Sequence, residues 1–108
     1  MKKGETWFVD VPEGRGNEQK GKRPCIVLGE KNGVVCAVPL TSNDARYQLS
    51  FTELIEQTPK NGLREDSIAL IFQLKSLSKE RFLEKIGEID EKTQDKIDVM
   101  IKEMLKIK

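Results

Sequence analysis

The chain has 108 residues, 37% of them hydrophobic and 34% charged, and its net charge is +1. That length fits one domain over residues 1–108 with a modest core. No stretch approaches the roughly 18–20 consecutive apolar residues of a membrane span, and a net charge so near zero is not that of a protein that coats a duplex.

The first residues, MKKGETWFVD, are charged at the start and lack an apolar h-region, so a cytoplasmic location is expected. Thr6 to Val11 reads as a strand, in which Trp7, Val9 and Val11 alternate with Phe8 and Asp10. Pro12 ends it, and PEGRGNEQKGK follows as a polar, glycine-rich loop. Residues 14–23 carry Arg15, Lys20, Lys22 and Arg23 against the single Glu18, enough to attract a phosphate locally. Pro24 to Leu28 is a wholly apolar strand, Gly29, Asn32 and Gly33 make a tight connection, and Val34 to Leu40 returns antiparallel. Thr41 to Asp44 is a polar break.

Leu49, Phe51 and Glu53 suggest a further short strand, Pro59 to Gly62 a turn, and Ser67 to Leu74 a long apolar strand. Glu65-Asp66 reads as part of a turn. A helical turn is expected from Ser78 and a strand over Lys85 to Ile89. Ile97, Met100, Ile101, Met104 and Leu105 then share one face of a helix over about 91–107, capped by Asp90. The predicted class is mainly β (α+β), a small barrel of short antiparallel strands followed by a C-terminal helix.

No histidine is present, and Cys25 and Cys36 are the only cysteines. A zinc site of the usual ligand types is thereby excluded, as is the commonest general acid or base near neutral pH. Both cysteines lie in apolar runs and are read as buried free thiols. No metal or other cofactor is expected.

Gly16 to Arg23, GNEQKGKR, is one residue from a nucleotide-binding P-loop, but Arg23 stands where Ser or Thr would hold magnesium. A P-loop also opens directly into a helix, whereas PCIVL is a strand. The alternative chemistry centres on Arg23. Pro24 restricts the backbone before it, and the strand behind it anchors the position, so its guanidinium suits a bidentate phosphate clamp. If the two following strands pair, Arg23 and Thr41 stand at one end of the hairpin, facing a common point.

These residues resemble the MazF/PemK family of toxin endoribonucleases from type II toxin–antitoxin systems. The likeness runs through GETWFVDVPEGRGNEQKGKRPCIVL (4–28), VVCAVPLTS (34–42), GLREDSIALIFQLKSLSKERF (62–82) and KIGEI (85–89). It implies an Src-homology-3-like barrel with a C-terminal helix, a two-fold homodimer, and metal-independent cleavage of single-stranded RNA at short preferred sequences. It also implies a cognate antitoxin that occupies the RNA groove and forms a DNA-binding complex with the toxin. By position, Arg23 and Thr41 match the catalytic arginine and threonine. Arg15, Asn17, Glu18, Gln19, Lys20 and Lys22 match the RNA-contacting loop, Ser42 and Gln73 match further RNA contacts, and Lys75 is placed with them although an Arg is frequent at that position.

The chain departs from the family pattern at Phe72, where many relatives carry a carboxylate. Two readings of Phe72 stay open, a core phenylalanine and an aromatic face for an unpaired base. The general base is left unassigned. Two functional alternatives also remain, a toxin of the same fold that inhibits DNA gyrase and an RNA-binding relative without turnover.

Overall fold

The computed structural model describes residues 1–12 and 21–107. The predicted loop contacts Arg15, Asn17, Glu18, Gln19 and Lys20 therefore lie outside the described residues. The chain forms β1 (Glu5–Val11), β2 (Gly21–Lys31), β3 (Val34–Thr41), β4 (Thr52–Ile55), β5 (Ser67–Leu70), β6 (Lys75–Ser78), β7 (Phe82–Glu88) and α1 (Glu91–Leu105). The strands make one antiparallel, seven-stranded sheet in the order β4-β5-β3-β2-β1-β7, with β6 also paired to β3. This is the mainly β arrangement with a C-terminal helix that the sequence predicts, left open because the end strands β4 and β7 do not pair with each other.

The hairpin between β2 and β3 turns through Asn32 and Gly33, both at positive φ (53° and 77°). Two successive left-handed residues match the right-handed twist of the flanking strands, which is why Asn-Gly serves here. Alternation then sorts the side chains onto two faces. Val9, Val11, Cys25, Val27, Val35, Ala37, Leu77 and Phe82 build one cluster. Ile26, Val38, Leu40, Leu63 and Ile71 build the other with Ile97 of α1, and Met100, Ile101 and Met104 pack against it. Asp90 caps α1 as expected, its carboxylate accepting from the Thr93 N–H at 2.7 Å. Lys106, in the left-handed conformation, ends the helix.

The expected strand Ser67 to Leu74 is corrected. It stops at Leu70, passes through a 3-10 turn at Ile71–Gln73, and resumes as β6. Both pieces pair with the same edge of β3, at Leu40↔Ala69 and at Ala37↔Lys75, so the three steps from 37 to 40 face six from 69 to 75. The turn absorbs that mismatch. It is held by the Phe72 N–H donating to the Phe51 carbonyl and the Leu74 N–H donating to that of Ile71. Hydropathy cannot reveal such a slip, because every residue of IALIFQL except Gln73 is apolar in either arrangement. The short strand expected around Leu49 to Glu53 forms later, as β4, after a 3-10 turn at Asp44–Gln48.

The segment between β4 and β5 lies across the sheet. The Thr6 hydroxyl donates to the Asn61 carbonyl at 2.7 Å, and the Glu88 N–H donates to that of Lys60 at 3.0 Å. Gly62 (φ +71°) and Gly87 make this approach possible. A Cβ on Gly62 would lie 1.9 Å from the Ile86 carbonyl oxygen, and one on Gly87 2.3 Å from that of Lys60. Asn61 fixes the loop internally, its side-chain oxygen accepting from the N–H groups of Thr58 and Leu63. Asp66 belongs to the turn, as expected, accepting from the Gln57 N–H at 2.7 Å.

Candidate active site

Arg23 and Thr41 stand one step of alternation beyond the Cys25↔Pro39 pair, on neighbouring antiparallel strands. They therefore share a face and one end of the hairpin, as the sequence predicts. The Arg23 guanidinium donates through Nη1 to the Leu40 carbonyl at 3.2 Å, which ties it to the end of β3. The Thr41 hydroxyl oxygen accepts from the Asn43 N–H at 3.2 Å. Its own proton has no acceptor among the described residues, so this hydroxyl is preset as a donor toward whatever lies before it.

Both residues line an open cleft of about 470 Å³, together with Lys22 and Ser42. That volume lies within the range of small-ligand sites. Phe8, Pro24, Leu40, Leu63 and Ile86 give the cleft an apolar floor, and Arg64, Glu65, Ser67 and Glu84 add polar groups. Lys22, Arg23 and Arg64 outnumber Glu65 and Glu84, so the charged lining carries a surplus of one positive charge. A polyanion is attracted, and two carboxylates remain available to accept hydrogen bonds.

Gln73 and Lys75 are not among the residues that line the cleft. Gln73 closes the 3-10 turn, and Lys75 opens β6 opposite Ala37, on the face that carries Cys25. Arg23 and Lys75 both act on the Cys25 thiol, favouring its ionised form. Burial dominates nonetheless and pushes that thiol up to about 12. Cys25 is thus an inert packing residue. Cys36 is half-buried, and its thiol is likewise pushed up by burial, although a Ser76 hydrogen bond pulls the other way.

Phe72 is 36% exposed, which removes the core reading of this residue. Phe8, Arg64, Glu65, Ser67 and Glu84 carried no functional signal in the sequence. Strand alternation does place Phe8 on the face opposite Val9, but its neighbours there come from positions far along the chain. Phe8 pairs with both Pro24 and Glu84.

Residues 2–105 match the family described as the PemK-like, MazF-like toxin of type II toxin–antitoxin systems. Endoribonuclease MazF9 of Mycobacterium tuberculosis is 32% identical over 94% of this chain and 93% of its own length. Endoribonuclease EndoA of Bacillus subtilis is 28% identical over 91% and 88%. Among solved structures, MazF from Deinococcus radiodurans superposes with a TM-score of 0.77 at 22% identity, covering 96% of this chain and 94% of that one. A mycobacterial endoribonuclease in complex with its cognate antitoxin gives a TM-score of 0.74 at 18% identity, over 100% and 97%.

Proposed function

We propose that this chain, which belongs to the PemK-like, MazF-like family of type II toxin–antitoxin toxins, cuts single-stranded RNA at preferred short sequences without a metal. The observation that carries this reading is the shared position of Arg23 and Thr41, side by side at the mouth of one cationic cleft. The family relatives named as endoribonucleases support it.

The chemistry is attack of a ribose 2′-hydroxyl on the neighbouring phosphorus, giving a cyclic phosphate and a free 5′-hydroxyl. Arg23 binds the phosphoryl oxygens as negative charge grows on them, the kind of stabilisation that contributes most in such reactions. Its tie to the Leu40 carbonyl holds it in place before substrate arrives. Thr41 donates its hydroxyl proton to a phosphoryl oxygen and fixes the phosphate's orientation. Neither group is a base. A guanidinium stays charged throughout the neutral range, and among the described residues no base accepts the proton of the Thr41 hydroxyl.

Lys22 and Ser42 extend the backbone contacts at the cleft mouth, while Gln73 and Lys75 hold RNA that continues around the sheet toward β6. Arg15, Asn17, Glu18, Gln19 and Lys20 contribute from the preceding loop. The exposed ring of Phe72 offers a stacking face beside Gln73. Residues 1–108 act as one domain and pair as a homodimer in the cytoplasm. A cognate antitoxin covers the RNA-binding surface, a reading supported by the antitoxin complex of the mycobacterial structural relative.

The test is incubation of purified protein with a long single-stranded RNA in EDTA, beside Arg23→Ala. The expected result is cutting at a recurring short motif, slowed on the order of a hundredfold or more in the variant. Intact RNA with the unmodified protein overturns the nuclease reading.

A further inference from the structure

Beyond the phosphate-binding mouth, the cleft has a wall that the reaction does not use. Pro24, Phe8 and Glu84 stand in one row across β2, β1 and β7, because Phe8 pairs with Pro24 on one side and with Glu84 on the other. Residues paired in this way project from the same face of a sheet. All three line the cleft, as does Arg64 from the crossing segment. Two inter-strand spacings put Glu84 about 10 Å from Pro24, and hence beyond bonding reach of a phosphate held by Arg23 and Thr41. The Glu84 carboxylate is exposed and makes no hydrogen bond or ion pair among the described residues.

Taking the nuclease reading as its basis, we infer that this row is a base-reading pocket, in which the Phe8 ring and Pro24 support a guanine and Glu84 reads its edge. Arg23, paired with Val9, projects from the other face of the sheet, but it and Thr41 line the same cleft as this row, so one nucleotide can meet both. Its phosphate meets Arg23 and Thr41, its flat base lies against the apolar Phe8 and Pro24, and the base edge meets a carboxylate. An ionised carboxylate only accepts hydrogen bonds. Guanine alone among the four bases presents two adjacent donors on its Watson–Crick edge, N1–H and the exocyclic amine, and these fit the two carboxylate oxygens. Arg64, which only donates, suits the O6 and N7 acceptors of the same base. Uracil would turn carbonyl oxygens toward Glu84 and be rejected.

The experiment maps cleavage sites in a randomised RNA pool for the unmodified protein and for Glu84→Gln. It then repeats cleavage on a preferred substrate with the recognised guanine replaced by inosine, which lacks only the exocyclic amine. The unmodified protein should require guanine at one fixed position and lose roughly tenfold or more in rate with inosine. Glu84→Gln should keep its thermal midpoint, lose the guanine requirement at that position alone, and cut both substrates equally. A motif without guanine, an unchanged motif in the variant, or equal slowing of every sequence would each overturn the inference.

If the unmodified protein cuts no RNA, the nuclease reading fails, and binding to 2′-deoxy oligonucleotides decides this one separately. Tighter binding of a guanine-bearing strand than of its inosine counterpart, abolished in Glu84→Gln, sustains the pocket. Equal binding of both strands overturns it.

Discussion

Replacing Gly62 by alanine tests the crossing segment that walls the cleft. The new Cβ would lie 1.9 Å from the Ile86 carbonyl oxygen and 2.6 Å from its carbon, so the backbones must separate by more than an ångström. The two hydrogen bonds that bind this segment to the sheet, Thr6 to Asn61 and Glu88 to Lys60, lie within two residues of Gly62. Losing both removes about 2 kcal/mol, at roughly 1 kcal/mol each. Placing alanine at φ +71° adds about 1–2 kcal/mol. The expected loss is therefore about 3–4 kcal/mol, a large share of the roughly 5–15 kcal/mol that holds a domain folded. Gly33→Ala is the internal control. Its φ is +77°, but its Cβ would meet nothing within 4 Å, so only the conformational part of about 1–2 kcal/mol applies. Urea unfolding of the two variants and the parent measures the difference. At roughly 4–8 °C per kcal/mol for a chain of this size, Gly62→Ala should also melt at least about 12 °C below the parent. Equal losses in the two variants would refute the close approach.

Other substitutions and conditions probe the remaining features. Arg23→Lys keeps the charge but not the planar fork, and should leave cleavage well below the parent while RNA binding changes little; single-turnover rates against binding affinity check this. Phe72→Ala should weaken RNA binding by roughly fivefold or more if its exposed ring stacks on a base, as read by fluorescence anisotropy. Glu5 and Asp90 should both lend acid sensitivity. Burial pushes the Glu5 carboxyl up, but Trp7, the Lys2 backbone and Lys85 outweigh it and hold it below its ordinary value, while Thr93 holds that of Asp90 low. Each depressed group contributes stability that is complete above its unfolded value and fades as pH falls through its folded one. Unfolding free energy should thus drop below about pH 4.5, less steeply in Glu5→Gln or Asp90→Asn. Cys25, with its thiol pushed up to about 12, should resist iodoacetamide at pH 8 until the chain is unfolded, as mass spectrometry of the alkylated protein would show.

Local chemistry made much of the fold legible. The Asn32-Gly33 turn, the Asp90 cap and the spacing of Ile97, Met100, Ile101 and Met104 each act over a few residues and appear in the structure where the pattern puts them, whereas Leu105, expected on the same face, is exposed in the last turn. The hairpin that the Asn32-Gly33 turn implies was enough to bring Arg23 and Thr41 to one end. The slip at Ile71–Gln73 was not legible, because it answers to the far edge of β3 rather than to its own residues. The far wall of the cleft was hidden for the same reason. Phe8 and Glu84 become neighbours only through the pairing of the first strand with the last, and Arg64 arrives on a segment whose path depends on Gly62 and Gly87 lacking side chains.

The pairing of β1 with β7 bears on timing during synthesis. The cleft takes its walls from positions 8, 22–24, 40–42, 62–65, 67, 84 and 86, spread along most of the chain. A nascent chain that ends before Leu83 has the arginine and the threonine but neither the Glu84 side of the cleft nor the strand that flanks β1. The cleft is complete only once that last strand has left the ribosome making it. The strand that completes the cleft is thus also the last strand that the ribosome makes.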